Sequence, residues 1–87
     1  MTAKKMFEKI GYKQRTNSDN WVIYTLCYGD DIRFELRFNK KRQEIEIWSK
    51  HIIDATLDAY EVKAIYKQIK ELKWHKPLYK RLKNEQN

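Results

Sequence analysis

The chain is poor in the residues that punctuate or cross-link a fold. It has one cysteine, Cys27, so no disulfide can form within it, and a reducing compartment, the cytoplasm, is expected. Its two glycines, Gly11 and Gly29, are too few and too far apart for a loop that cradles phosphate. With a single proline, Pro77, there is no linker composition, and no repeat or low-complexity segment divides the chain. No apolar run approaches the ~20 residues of a membrane span. The lysines near the N-terminus are joined by Glu8 and followed by no long apolar run, so no secretory signal is expected there. The two histidines, His51 and His75, stand in no metal-ligand spacing; His51, Asp54 and Asp58 form no compact set, and Asp58 is wanted elsewhere as a helix cap. No metal or other cofactor is expected.

What remains is 87 residues, enough for a single domain (1–87) with one modest core. Of these 41% are hydrophobic and 36% charged, and the net charge of +7 makes nucleic acid or another acidic partner a candidate. The clearest pattern is Ile32-Arg33-Phe34-Glu35-Leu36-Arg37-Phe38, in which large apolar side chains alternate with charged ones. Successive strand residues point to opposite faces, so this is a strand with one face in a core and one in water.

Before it, residues 20–28 (NWVIYTLCY) are aromatic and β-branched, as a strand should be. Gly29-Asp30 suits a two-residue type II′ turn, which pairs Tyr28 with Asp31, Cys27 with Ile32, Thr25 with Phe34 and Ile23 with Leu36. Trp21, Ile23, Thr25 and Cys27 are then expected inward, and Val22, Tyr24, Leu26 and Tyr28 outward. The next turn, Asn39-Lys40-Lys41-Arg42, sets Ile45 and Ile47 beside Phe34 and Leu36. It opposes Arg37 to Glu44, Glu35 to Glu46 and Arg33 to Trp48 on the outer face.

Helices are expected at both ends. Thr2 caps a short one whose Ala3, Met6, Phe7 and Ile10 share a face, and Gly11 ends it. Near the C-terminus, Asp58 and Glu61 form a capping box with Leu57 and Val62 as hydrophobic staple. Val62, Ile65, Ile69 and Leu72 follow as the expected buried stripe, to about Lys73. Pro77 with Leu78 and Leu82 suits a further helical turn or two, and 75–87 is expected to form a loosely packed tail. The fold class expected is α+β: a four-stranded antiparallel meander (Tyr12–Thr16, Asn20–Tyr28, Asp31–Asn39, Gln43–Ser49) with both helices packed on one face.

MFEKIGY near the start and EVKAIYKQIKELKW near the end resemble the ends of small phage- and prophage-encoded proteins of Gram-positive bacteria. Those proteins share a short helix ending in Gly-Tyr, a few strands, and a final helix ending in Glu-Leu-Gly-Trp. The resemblance spans residues 1–74, and Lys73 stands where that helix-ending glycine would be. It implies a source and a fold, and no chemistry.

For function, the facing acids Glu35 and Glu46 are the one pairing with acid–base potential, but an open sheet flanked by Arg33 and Arg37 gives them no cleft. A buried Cys27 offers no nucleophile. The expectation is therefore a non-enzymatic protein without a small-molecule substrate. It binds a protein partner, or a second copy of itself, through Val22, Tyr24, Leu26, Tyr28, Arg33, Arg37 and Trp48 on the outward sheet face. The alternative is nucleic acid on the C-terminal helix. Residues 57–87 hold eight basic side chains against four acidic ones, and Lys63, Lys67 and Lys70 form a stripe flanked by Tyr66 and Lys73. A plain solvated helix face explains the same lysines.

Overall fold

The computed structural model describes residues 1–50 and 56–74. In chain order they form α1 (Ala3–Lys9), β1 (Tyr12–Asn17), β2 (Trp21–Tyr28), β3 (Asp31–Asn39), β4 (Glu44–Ser49) and α2 (Ala59–Glu71). The strands make one antiparallel sheet in sequence order, and both helices lie on the same face of it, as the α+β reading expects. No described helix is long and apolar enough to cross a membrane.

The local signals act where they stand in the sequence. Thr2 Oγ1 accepts the backbone N–H of Lys5 at the start of α1, and Gly11 follows its last residues at φ +96°. A side chain at Gly11 would be strained there, and its Cβ would come within 3.1 Å of Leu26 Cδ1. Asp58 and Glu61 close the capping box on α2, with bonds of 2.8 and 2.9 Å. At the other end of α2, Trp74 N–H donates to Ile69 O and Lys73 N–H to Lys70 O, which is a Schellman motif. Lys73 therefore sits at φ 63°, in the left-handed region that glycine occupies most easily.

The register of β2 is the main correction. The hairpin begins as the turn dictates, with Tyr28 opposite Asp31, Cys27 opposite Ile32, and Gly29 at φ +62°. One step later Leu26 pairs with Phe34, so Arg33 is an extra residue in β3, a bulge. Beyond it every pairing is shifted by one: Tyr24 opposes Leu36 and Val22 opposes Phe38. The inward residues of β2 are thus Val22, Tyr24 and Leu26, and Trp21, Ile23, Thr25 and Cys27 take the outer face. Ile32, on the turn side of the bulge, is left exposed. Arg33 stays clamped: its Nε lies 3.3 Å from Asp31 Oδ2, its carbonyl accepts the N–H of Lys50, and its guanidinium sits over the Tyr28 ring.

The second turn is also longer than expected. Asn39 pairs with Glu44, leaving 40–43 as the loop, with Gln43 at φ 55° and its N–H on Asn39 O. Two added loop residues preserve parity, so Ile45 and Ile47 share the face of Phe38 and Leu36 as expected. The cross-strand partners change: Arg37 faces Glu46 and Glu35 faces Trp48.

The core is aromatic. Phe7 of α1 stacks on Tyr24 with centroids 4.0 Å apart and meets Tyr12 and Phe38 edge-on. With Val22, Phe34, Leu36 and Ala64 these form the buried cluster. Two of its rings carry hydroxyls, and both reach α2: Tyr12 donates to Glu61 and Tyr24 to Gln68 Oε1. Those partners decide how α2 lies. Ala64 and Gln68 are its buried residues, while Val62 is half exposed and Ile65, Ile69 and Leu72 only partly covered. The helix is thus rolled away from the expected Val62-Ile65-Ile69-Leu72 stripe by somewhat under one residue's turn of ~100°. A buried hydroxyl needs a partner, and a polar helix residue supplies it.

Candidate functional site

The corrected register divides the expected sheet-face residues. Val22 and Tyr24 are 2% and 1% exposed and Leu26 packs beside them, so these three belong to the core and offer nothing to a partner. Tyr28, Arg33, Arg37 and Trp48 do reach the surface, with Trp48 47% exposed on β4. They are joined there by residues that the alternation alone assigned inward. Arg37 lies over the Trp21 ring and bridges Glu35 at 2.9 Å and Glu46 at 3.6 Å. Thr25 is buried under Arg15, whose Nε donates to its Oγ1 at 2.8 Å. Cys27, expected in the core, lies beside the same guanidinium at 3.5 Å from Sγ. The two acids read as facing each other are not opposed; each is an ion-pair partner of Arg37. A shallow depression of about 420 Å³ runs past Ile32, Arg37, Ile47 and Trp48 at this edge of the sheet.

On the other side of the molecule, α2 presents Lys63, Lys70 and Lys73 exposed, Lys67 half-buried, and Tyr60 and Tyr66 67% and 59% exposed. The ammonium of Lys70 sits 5.1 Å from the Tyr66 centroid and that of Lys63 5.8 Å from the Tyr60 centroid. The two acids of α2 are both directed away from this face. Glu61 accepts from Tyr12 and from the Asp58 N–H, and Glu71 Oε2 accepts the N–H of Ala3 at 2.8 Å. Lys4, Lys5 and Lys9 of α1 add exposed positive charge to the same layer, against an exposed Glu8. The ion pairs seen among the described residues all lie on β3, β4 and their flanks, from Asp31 to Lys50. Opposite charges are thus mixed on the sheet side, and lysine dominates the helical side.

No protein-family model, curated protein or solved structure matches the chain.

Burial raises the proton affinity of both core tyrosines above the ordinary value. For Tyr12 the hydrogen bond to Glu61 and the nearby charges of Glu61 and Asp58 act in the same direction. For Tyr24 the bond donated by Gln14 opposes the shift, and Glu71 and Glu8 add to it. Both hydroxyls are therefore neutral donors. Among the described residues no cluster of three or more His, Cys, Asp or Glu side chains could hold a metal ion. His51, Asp54 and His75 lie outside the described residues, as does the expected tail. Gln68 was missed at the sequence level: a polar residue among lysines gives no sign of burial until its tyrosine partner is known.

Proposed function

We propose that this protein binds nucleic acid through its helical layer, with phosphates on Lys63, Lys67, Lys70 and Lys73 and the exposed Tyr66 ring beside them. The observation that supports this reading most is that both acids of α2 are engaged elsewhere, Glu61 by Tyr12 and the Asp58 N–H and Glu71 by the Ala3 N–H. It leaves the lysine face of α2 without a carboxylate partner among the described residues. Lysines so placed release counterions when they meet a phosphate chain, and an exposed ring next to an ammonium suits a base face. The mixed sheet side, with Glu35, Glu44 and Glu46, would repel the same chain. The binding is proposed as non-enzymatic: the nearest thing to an acid–base pair, Glu35 and Glu46, is tied to Arg37 on an open surface.

Titration of labelled single- and double-stranded oligonucleotides at ~50 and ~200 mM salt tests it. Binding should fall steeply with salt, and Lys63→Ala with Lys67→Ala and Lys70→Ala should lower the salt slope by roughly 2–3. No binding at the lower salt, or an unchanged slope in the triple variant, overturns the proposal.

A second reading places a protein partner, or another copy of the chain, on the β4 edge. It is favoured by Ile32, Ile47 and Trp48, which are 38%, 51% and 47% exposed around the Arg37 network. Under it, Trp48→Ala weakens self-association in sedimentation and leaves oligonucleotide binding unchanged.

A further inference from the structure

A cleft of about 460 Å³ opens between the helical layer and the sheet, at the end where α1 begins and α2 finishes. Its polar lining includes Gln14, Tyr24, Gln68 and Glu71, together with the lysines Lys4 and Lys40. Its volume falls in the range of small-ligand sites, ~300–1,000 Å³.

The floor has a defined hydrogen-bond sense. Tyr24 donates its single hydroxyl proton to Gln68 Oε1 at 2.5 Å, so toward Gln14 Nε2, at 3.2 Å, it acts as acceptor. Each amide thus gives one end to the tyrosine and keeps the other. Gln68 keeps its Nε2 donor and Gln14 its Oε1 acceptor, and neither meets a partner among the described residues. Reversing the chain of bonds exchanges the two roles and still leaves one donor and one acceptor. Gln68 is only 5% exposed, so its leftover N–H group has little access to bulk water apart from the cleft. That donor faces the cleft, where a ligand acceptor can take the place of water. Glu71 is already used by Ala3, and the Lys40 ammonium is held at 3.1 Å from Asn17 Oδ1 and 2.6 Å from Ser18 O.

We infer that this cleft receives the Watson–Crick edge of one unpaired nucleobase. That edge carries a donor beside an acceptor in each of the four bases, the complement of the Gln14 and Gln68 ends. Lys4 and Lys40 then meet the phosphate attached to it. The inference rests on the proposed nucleic-acid reading for the strand that delivers the base; a free nucleotide offers the same edge.

The test is nitrogen-15 NMR of the whole chain, following the side-chain NH₂ signals of Gln14 and Gln68. The probes are the four homo-oligonucleotides, an abasic oligonucleotide of equal length, and the four nucleoside monophosphates. At least one homo-oligonucleotide should shift both amides, and the abasic strand should move only the α2 lysine face. Gln68→Glu keeps an oxygen for Tyr24 and removes the donor. It should weaken binding of the base-containing strand about tenfold and leave the abasic strand unaffected. If homo-oligonucleotides move the lysine face but not the amides, the cleft holds water and this inference fails while nucleic-acid binding stands. If monophosphates shift the amides and no strand binds at low salt, the cleft stands and the nucleic-acid reading fails. If no probe shifts the amides, the cleft is not a base site.

Discussion

Tyr24, in the middle of β2, donates its hydroxyl to Gln68 Oε1 near the C-terminal end of α2 across 2.5 Å, and the bond ties the sheet to the helix in the core. Gln68→Leu should cost ~1–3 kcal/mol, because the buried hydroxyl loses its acceptor. Adding Tyr24→Phe should recover part of that loss, since removing both partners removes the unmet group. Chemical denaturation of the two single variants and the double variant measures the coupling; simple additivity would mean that the bond contributes nothing.

The bulge at Arg33 places Val22 in the core and Ile23 outside it. Val22→Ala should therefore cost ~1.5–3 kcal/mol and Ile23→Ala distinctly less, though isoleucine is the larger side chain. Leu36→Ala, buried in either register, should cost ~2–5 kcal/mol and serves as the reference. Equal losses at 22 and 23 in denaturant titrations would contradict the bulge.

Lys73 occupies a left-handed position at the C-terminus of α2 that glycine adopts without a steric penalty. Lys73→Gly should raise stability by ~0.5–1 kcal/mol, seen as a higher Tm. It also removes one lysine from the proposed phosphate face, so the same variant should bind oligonucleotide less tightly while melting later.

Stability should decline at alkaline pH. Burial, first among its causes, holds the Tyr12 and Tyr24 hydroxyls protonated above the ordinary value of about 10. Below pH ~10 both folded and unfolded tyrosines are neutral, and the stabilisation is complete. Above it the unfolded chain releases protons that the folded chain retains, so the balance shifts toward unfolding as pH rises. Tyr12→Phe should be less stable at neutral pH and show a shallower alkaline decline; thermal melts between pH 7 and 11 compare the two.

Much of the architecture was legible in the residues, and the errors about β2 and α2 share one origin, separate from the longer turn after Asn39. β2 is apolar on both faces, WVIYTLCY, so its alternation does not say which face is inner. The Gly29 turn supplied a register that holds for two pairs and then fails at Arg33, because a bulge accepts an ordinary residue and leaves no mark in the sequence. That one step moved Val22, Tyr24 and Leu26 from an expected binding surface into the core. It also turned a tyrosine toward α2 and made Gln68 a buried partner. The lysine stripe was visible from its spacing, whereas the engagement of Glu61 by Tyr12 and of Glu71 by the Ala3 N–H was not.

What the sequence by itself determined are the features set by neighbours within about one turn of chain: the caps at Thr2 and Asp58, the end of α1 at Gly11, the hairpin at Gly29, and the order of strands and helices. These rest on hydrogen bonds and φ preferences that span three or four residues and act before any tertiary contact. Only the tertiary structure decided which face of β2 is inside, how α2 is rolled, and which acids remain free to neutralise lysines. Those choices depend on matching buried hydroxyls to partners 44 and 49 residues away, and no local pattern encodes a match at that separation.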